Sequence, residues 1–107
     1  MPVYNKLVRD KIPDIIRQDN KKCKTETLDE KRYVIELRKK LEEELEEYLL
    51  ARDDSEALEE LADILELIHA LSKTHGANYK KIEKIRQEKA KKRGGFEERV
   101  FLIEVED

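Results

Sequence analysis

Two pairs of acidic residues have the spacing that places carboxylates on one face of an α-helix. Glu44 and Glu47 are three positions apart, and so are Glu60 and Asp63. Helical residues at this spacing lie roughly 60° apart around the axis and about one turn apart along it. Each pair therefore shares a helix face, and carboxylate oxygens grouped in this way can bind a divalent cation.

The surroundings of Glu60 differ from those of an ordinary solvated Glu-rich helix. In helical projection Glu60 falls between Leu67 and Leu71. The same arc also contains Ile64 and Ile68. A carboxylate among apolar side chains needs a compensating partner, because burial disfavours its charged form. Charge runs on helices are usually solvated faces, and that alternative stays open for the Glu-rich segment as a whole.

The two acidic pairs are predicted to meet in an antiparallel helix hairpin. Residues 52–55 contain helix-capping residues and indicate a turn. With the turn centred in that segment, Glu47 lies level with Glu60, and Glu44 lies level with Asp63. The two layers are then about 4.5 Å apart. Such close anions repel one another, so we expect a divalent cation among them, Mg²⁺ or its substitute Mn²⁺ rather than zinc.

The periodic apolar residues predict an all-α fold, a helical bundle around this hairpin. Charged residues make up 46% of the chain and glycine and proline are few, which favours solvated helices over sheets. The hairpin covers residues 29–73, and a further helix is expected over residues 78–93. A short first helix is expected to start at Asp10, with Pro13 in its first turn. The glycines at residues 94–95 end the last helix by accepting a positive φ.

The C-terminal segment has a different pattern from the helices. Residues 100–105 predict one short β-strand, which must pair with the N-terminal segment or with another subunit. The whole chain, residues 1–107, has the length of a single domain. The second hairpin helix is apolar over roughly half its circumference, more than one neighbouring helix covers, so we expect a homodimer or a higher homo-oligomer.

Composition limits the expected partners and location. The formal net charge is −3, whereas a dedicated nucleic-acid-binding domain normally has a basic excess. No apolar run has the length of a membrane span or the form of a signal sequence. The single cysteine, Cys23, cannot form an internal disulfide. We therefore expect a cytoplasmic protein without membrane or dedicated nucleic-acid binding.

Three parts of the chain resemble the MazG-like all-α nucleoside triphosphate pyrophosphohydrolases. The signature of that superfamily, Glu-Glu-x-x-Glu followed by Glu-x-x-Asp, is met at residues 43–47 and 60–63. Residues 4–13 and 93–96 look like a small branch related to phosphoribosyl-ATP pyrophosphohydrolases. A second register of the signature, starting at Glu42, points away from the apolar stripe of its helix, so we reject it.

The resemblance implies an activity and a role for each acidic residue. Hydrolysis would split a nucleoside triphosphate, including damaged or non-standard ones, between its α and β phosphates, giving a monophosphate and pyrophosphate. Glu43 and Glu44 would serve catalysis, Glu43 by supporting the metal ligands or by helping to activate water. The implied Mg²⁺ ligands are Glu44, Glu47, Glu60 and Asp63.

Binding of the phosphates also needs positive charge, and two regions supply candidates. The apolar stripe of the last helix continues in projection through basic residues, which could therefore face the hairpin. The resemblance implies the same role for basic residues of the N-terminal segment. Ordinary solubilising surface charge stays open as the alternative for both groups. The six candidates are Lys6, Arg9, Lys11, Arg86, Lys89 and Arg93.

Two other functions stay open at the level of the sequence. One is phosphoribosyl-ATP pyrophosphohydrolase activity, which uses the same chemistry on a different nucleotide. The other is a non-catalytic helical oligomerisation module, in which the charges serve solubility. Such a module would gain no stability from a metal ion, and this distinguishes it from the hydrolase.

Overall fold

A computed structural model of the chain describes residues 2–107 and is all-helical, as predicted. Met1, the first residue of the predicted domain, lies outside the described residues. No helix in the described part of the chain combines the length and the apolar composition needed to cross a membrane. The helices are α1 (Ile12–Gln18), α2 (Glu30–Leu49), α3 (Asp54–Thr74) and α4 (Tyr79–Arg93).

Local sequence signals set the ends of the three longer helices. Asp29, Asp53 and Asn78 are their N-caps. Each cap side chain accepts a hydrogen bond from the backbone N–H three residues further on, at 2.8, 2.8 and 3.0 Å respectively. These bonds satisfy backbone donors that the first helical turn leaves free. At the other end of α4, Gly94 has the expected positive φ of 81°, which glycine adopts without a steric cost.

The start of α1 differs from the prediction. Its N-cap is Lys11 rather than Asp10, and no side chain caps the helix. The backbone N–H of Ile12 donates to the carbonyl of Arg9, so a turn through Asp10 leads directly into the helix. The carboxylate of Asp10 therefore does not stand at the capping position. Pro13 lies in the first turn, where its missing N–H is not needed.

The longer helices pack in chain order. α2 and α3 are joined by residues 50–53, and they pack along each other. α4 contacts α3, and the ring of Tyr79 stacks on that of His69 with the two centroids 4.1 Å apart. Within residues 2–107, α1 packs against none of the other helices.

The strand predicted over residues 100–105 is not seen. This segment has no regular secondary structure, and its large apolar side chains are exposed. A strand forms only when its backbone groups bond to those of a neighbour. Neither the N-terminal segment nor any other described part of the chain pairs with it.

The apolar core of the single chain is small. Leu37 and Leu67 are its buried hydrophobic residues among those that the structure describes. The radius of gyration is 18.4 Å, whereas a compact domain of this length has about 13 Å. The elongated helices therefore leave much apolar surface uncovered.

Candidate metal centre

α2 and α3 bring acidic side chains together in one group. Single carboxylate oxygens from Glu44, Glu60 and Asp63 lie within 4.8 Å of one another, and so do oxygens from Glu43, Glu44 and Glu47. Glu44 belongs to both sets and links them. We call these five residues the carboxylate cluster. It contains all four predicted metal ligands, together with Glu43.

The connection between α2 and α3 lies earlier in the chain than predicted. α2 ends at Leu49, so the connection to α3 is centred about two positions earlier than the sequence indicated. Glu44 approaches both Glu60 and Asp63. Both predicted cross-helix pairs lie within the carboxylate cluster: an oxygen of Glu44 lies within 4.8 Å of an oxygen of Asp63, and Glu47 is close enough to Glu60 to raise its pKa.

Glu44 is the most buried member of the carboxylate cluster. Its spacing of seven from Leu37 places it on the same inward face of α2, and only 7% of the residue is exposed. Its Oε2 atom is buried and, within residues 2–107, accepts no hydrogen bond. The Oε2 atom of Glu60 is also buried and accepts no hydrogen bond within the described chain. Buried carboxylate oxygens normally have partners, because leaving them without one costs stability.

The proximity of these side chains changes their acidity. Burial, and then the neighbouring Glu60 and Glu47, raise the pKa of Glu44 to about 8. When Glu44 is protonated, a hydrogen bond from it lowers the pKa of Glu60, but burial, Glu47 and Asp63 outweigh this effect, so the pKa of Glu60 is also raised. The fully deprotonated form of the carboxylate cluster is therefore disfavoured.

Two cationic side chains stand beside the carboxylate cluster. The Nη2 atom of Arg9 donates to the Oδ1 atom of Asp63 at 2.7 Å. The Nζ atom of Lys40 lies 3.9 Å from Oε1 of Glu44, one turn away on α2. Arg9 was among the predicted phosphate-binding residues, whereas Lys40 was not. The spacing of Lys40, four positions before Glu44, is the signal that could have identified it.

The other predicted phosphate-binding residues make no ion pair with the carboxylate cluster in the described chain. Arg86 instead pairs with Glu83 on its own helix, with Nη2 of the arginine 2.6 Å from Oε1 of the glutamate. The Nζ atom of Lys6 lies 5.7 Å from the centroid of the Tyr4 ring. The remaining candidates are exposed side chains: Lys11, Lys89 and Arg93.

Comparisons with protein-family models, with curated proteins and with solved structures find no match for this chain. The chemical interpretation of the carboxylate cluster therefore depends on its own residues and geometry.

Proposed function

We propose that the chain is a divalent-cation-dependent hydrolase that converts a nucleoside triphosphate to a monophosphate and pyrophosphate. One observation carries this proposal: the Oε2 atom of Glu44 is buried among other acidic side chains and accepts no hydrogen bond within residues 2–107. A carboxylate in that setting needs a proton or a cation. A divalent cation can serve several carboxylates at once, whereas a proton serves one or two.

The donor atoms suit a hard divalent cation. The proposed ligands are Glu44, Glu47, Glu60 and Asp63, all of which offer carboxylate oxygens. Such donors favour Mg²⁺, with Mn²⁺ as a substitute, whereas zinc sites usually contain cysteine or histidine. When bound, the cation supplies neutralisation of phosphate charge and a lower pKa for the attacking water.

The remaining catalytic work falls to side chains around these ligands. Glu43 lies beside Glu44 and Glu47, where its carboxylate can accept a proton from water as a general base. Arg9, already next to Asp63, can bind a phosphate oxygen through its planar guanidinium group. Attack by water on a phosphorus atom needs no covalent nucleophile from the protein.

Further positive charge for the triphosphate is proposed to come from the other predicted binding residues. Lys6 and Lys11 belong to the same N-terminal segment as Arg9, and both are exposed. On α4, Arg86 must leave Glu83 to contact a phosphate, because the two side chains are paired in the structure. Lys89 and Arg93 complete the proposed set.

Phosphoribosyl-ATP is a second candidate substrate. Residues 4–13 and 93–96 support it, because they look like the branch related to phosphoribosyl-ATP pyrophosphohydrolases. The same carboxylate cluster would perform the same bond cleavage. A direct assay with phosphoribosyl-ATP beside a panel of nucleoside triphosphates separates the two proposals.

The exposed surface supports a further proposal, that a second copy of the chain completes the fold. The accessible surface is 10408 Å², whereas a compact folded chain of 12.7 kDa exposes about 6,200 Å². The excess is about 4,000 Å² for each chain, more than the roughly 1,000–2,500 Å² per chain that most obligate dimers bury, so there is ample surface for a dimer interface. We therefore propose a homodimer, with higher homo-oligomers as the alternative.

The surface proposed to face the second copy is an apolar patch near the connection between α2 and α3. With Leu37 and Leu67 taken as inward-facing, helical projection places the patch on the opposite side of the hairpin from Glu43, Glu47 and Asp63. Association through it therefore leaves the carboxylate cluster open to a substrate. The patch consists of Leu45, Leu49, Leu58, Leu61 and Leu65, all of them exposed.

This exposed surface also favours the non-catalytic alternative, a helical oligomerisation module. The module needs the patch but not the carboxylate cluster, and it leaves the buried Oε2 atom of Glu44 without a role. The hydrolase proposal accounts for both features. We propose a cytoplasmic location, where the single Cys23 remains reduced, and, with a net charge of −3, no dedicated nucleic-acid binding.

The direct test is pyrophosphate release from a panel of triphosphates with Mg²⁺. We expect release by the parent chain, and a loss of about 100-fold or more in Glu60→Gln and Asp63→Asn, because isosteric changes remove ligand charge. Glu46→Gln, on an exposed position outside the carboxylate cluster, is the matched control. If folded parent protein releases no pyrophosphate from any nucleotide of a broad panel, the hydrolase proposal is wrong.

A further inference from the structure

One ion pair ties the N-terminal segment to the carboxylate cluster. Arg9 Nη2 lies 2.7 Å from Asp63 Oδ1, across 54 positions of sequence. The other ion pairs in residues 2–107 join residues at most six positions apart. Within residues 2–107, the only side-chain ion pair between distant parts of the chain therefore involves a proposed metal ligand.

The Arg9–Asp63 pair is poorly suited to a purely structural role. The two side chains remain 56% and 41% exposed, and exposed ion pairs contribute little stability. α1, which follows Arg9 directly, packs against no other helix within residues 2–107. Packing of α1 against another helix therefore does not hold Arg9 at Asp63.

A divalent cation and the Arg9 guanidinium would compete for Asp63. Both are cations, and both draw on the same carboxylate, whose oxygens lie within 4.8 Å of those of Glu44 and Glu60. Repulsion between two cations separated by a few ångströms is substantial near a protein surface. Each therefore weakens the binding of the other at this position.

We infer that Arg9 is an exchangeable counter-cation: it neutralises Asp63 until a divalent cation binds, and it then moves to a phosphate oxygen of the substrate. This inference rests on the proposed function and concerns the regulation of that same site. Arg9 suits both roles, because its planar fork of donors matches carboxylate and phosphate equally well. The exchange keeps the acidic side chains partly neutralised before binding and supplies positive charge where the triphosphate needs it.

The experiment compares the parent chain with Arg9→Gln in two titrations. In the first, Mn²⁺ is titrated without nucleotide and followed by its electron paramagnetic resonance signal. We expect Arg9→Gln to bind Mn²⁺ more tightly, by up to about five-fold, the range that an exposed ion pair supports. In the second, inorganic tripolyphosphate is titrated into Mg²⁺-saturated protein by calorimetry, and Arg9→Gln should bind it about ten-fold more weakly.

Two further variants make the comparison specific. Arg17→Gln removes the same charge from α1, where Arg17 pairs with Asp14, and it should leave both affinities unchanged. Arg9→Lys keeps the charge without the planar fork. It should therefore bind Mn²⁺ like the parent and tripolyphosphate more weakly than the parent. Thermal unfolding checks that each variant is folded.

The outcomes separate this inference from the proposed function. Weaker Mn²⁺ binding by Arg9→Gln would mean that Arg9 orients Asp63 for the metal, and unchanged binding would mean that Arg9 does not affect the metal site. Either result would overturn the exchange. Tighter Mn²⁺ binding with unchanged tripolyphosphate binding would overturn the second step. If the parent itself binds no Mn²⁺, the proposed metal centre is wrong and the inference falls with it.

Discussion

Glu44 on α2 and Glu60 on α3 each hold one buried carboxylate oxygen that accepts no hydrogen bond within the described chain, and the two side chains are close enough to alter each other's acidity. Burial already raises the pKa of Glu44, and the neighbouring Glu60 raises it further. Their approach across the contact between α2 and α3 disfavours the state in which both carboxylates are charged.

The stability of the chain in a chelator should fall as the pH rises. The pKa of Glu44 is raised by burial from its ordinary 4.5 to about 8, so the folded state holds this proton more tightly than the unfolded state. The resulting stabilisation is complete below pH 4.5 and is lost as the pH rises through 8. Urea unfolding between pH 5 and 9 in EDTA measures it.

Glu44→Gln is the matched control for this pH dependence. The amide has nearly the same shape but does not titrate in this range. As the pH rises, the parent should therefore lose unfolding free energy that Glu44→Gln keeps, so the variant becomes more stable relative to the parent. A difference that stays constant from pH 5 to 9 would show that Glu44 is not protonated in the folded chain.

Metal binding at pH 7 should release protons. Glu44, with its pKa raised to about 8, carries a proton in much of the population at this pH, and a cation can bind its carboxylate only after that proton leaves. Calorimetric titration of Mg²⁺ in buffers of different ionisation enthalpy should show a buffer-dependent heat at pH 7 that disappears near pH 9.5. The same heat in every buffer at pH 7 would contradict the assignment of Glu44 as a ligand.

The chain should be a dimer that depends on the apolar patch. Light scattering should give twice the chain mass of 12.7 kDa for the parent. Leu61→Glu, in the patch, should shift the mass toward the monomer, because a charge would enter the apolar interface. Val3→Glu, at an exposed apolar position outside the patch, should remain dimeric. A monomeric parent at micromolar concentration would contradict the proposed assembly.

Much of the helical structure could be predicted because its signals are local. Asp53 and Asn78 cap helices through bonds to residues three positions away, and Gly94 ends α4 through its own φ. The grouping of Glu44, Glu60 and Asp63 followed from helix periodicity and one chain reversal. The connection to α3 was predicted about two positions too late, because the end of α2, at Leu49, has no comparably strong signal.

The features that were missed depend on contacts between distant residues. The strand expected over residues 100–105 required a partner that the described chain does not supply. Nothing in the spacing of Arg9 indicates that it reaches Asp63, 54 positions away. Lys40 was missed for a different reason, since its spacing from Glu44 was visible but resembles that of many surface pairs.

The thermal stability of the chain with and without Mg²⁺ tests the central claim most directly. A ligand that binds the folded state raises the melting temperature, by about 5 °C or more at ten-fold excess over Kd for a chain of this size. We predict this rise for the parent and for Glu46→Gln, and its absence in Glu60→Gln and Asp63→Asn. No rise in the parent, or an equal rise in all four proteins, would contradict a divalent cation site in the carboxylate cluster.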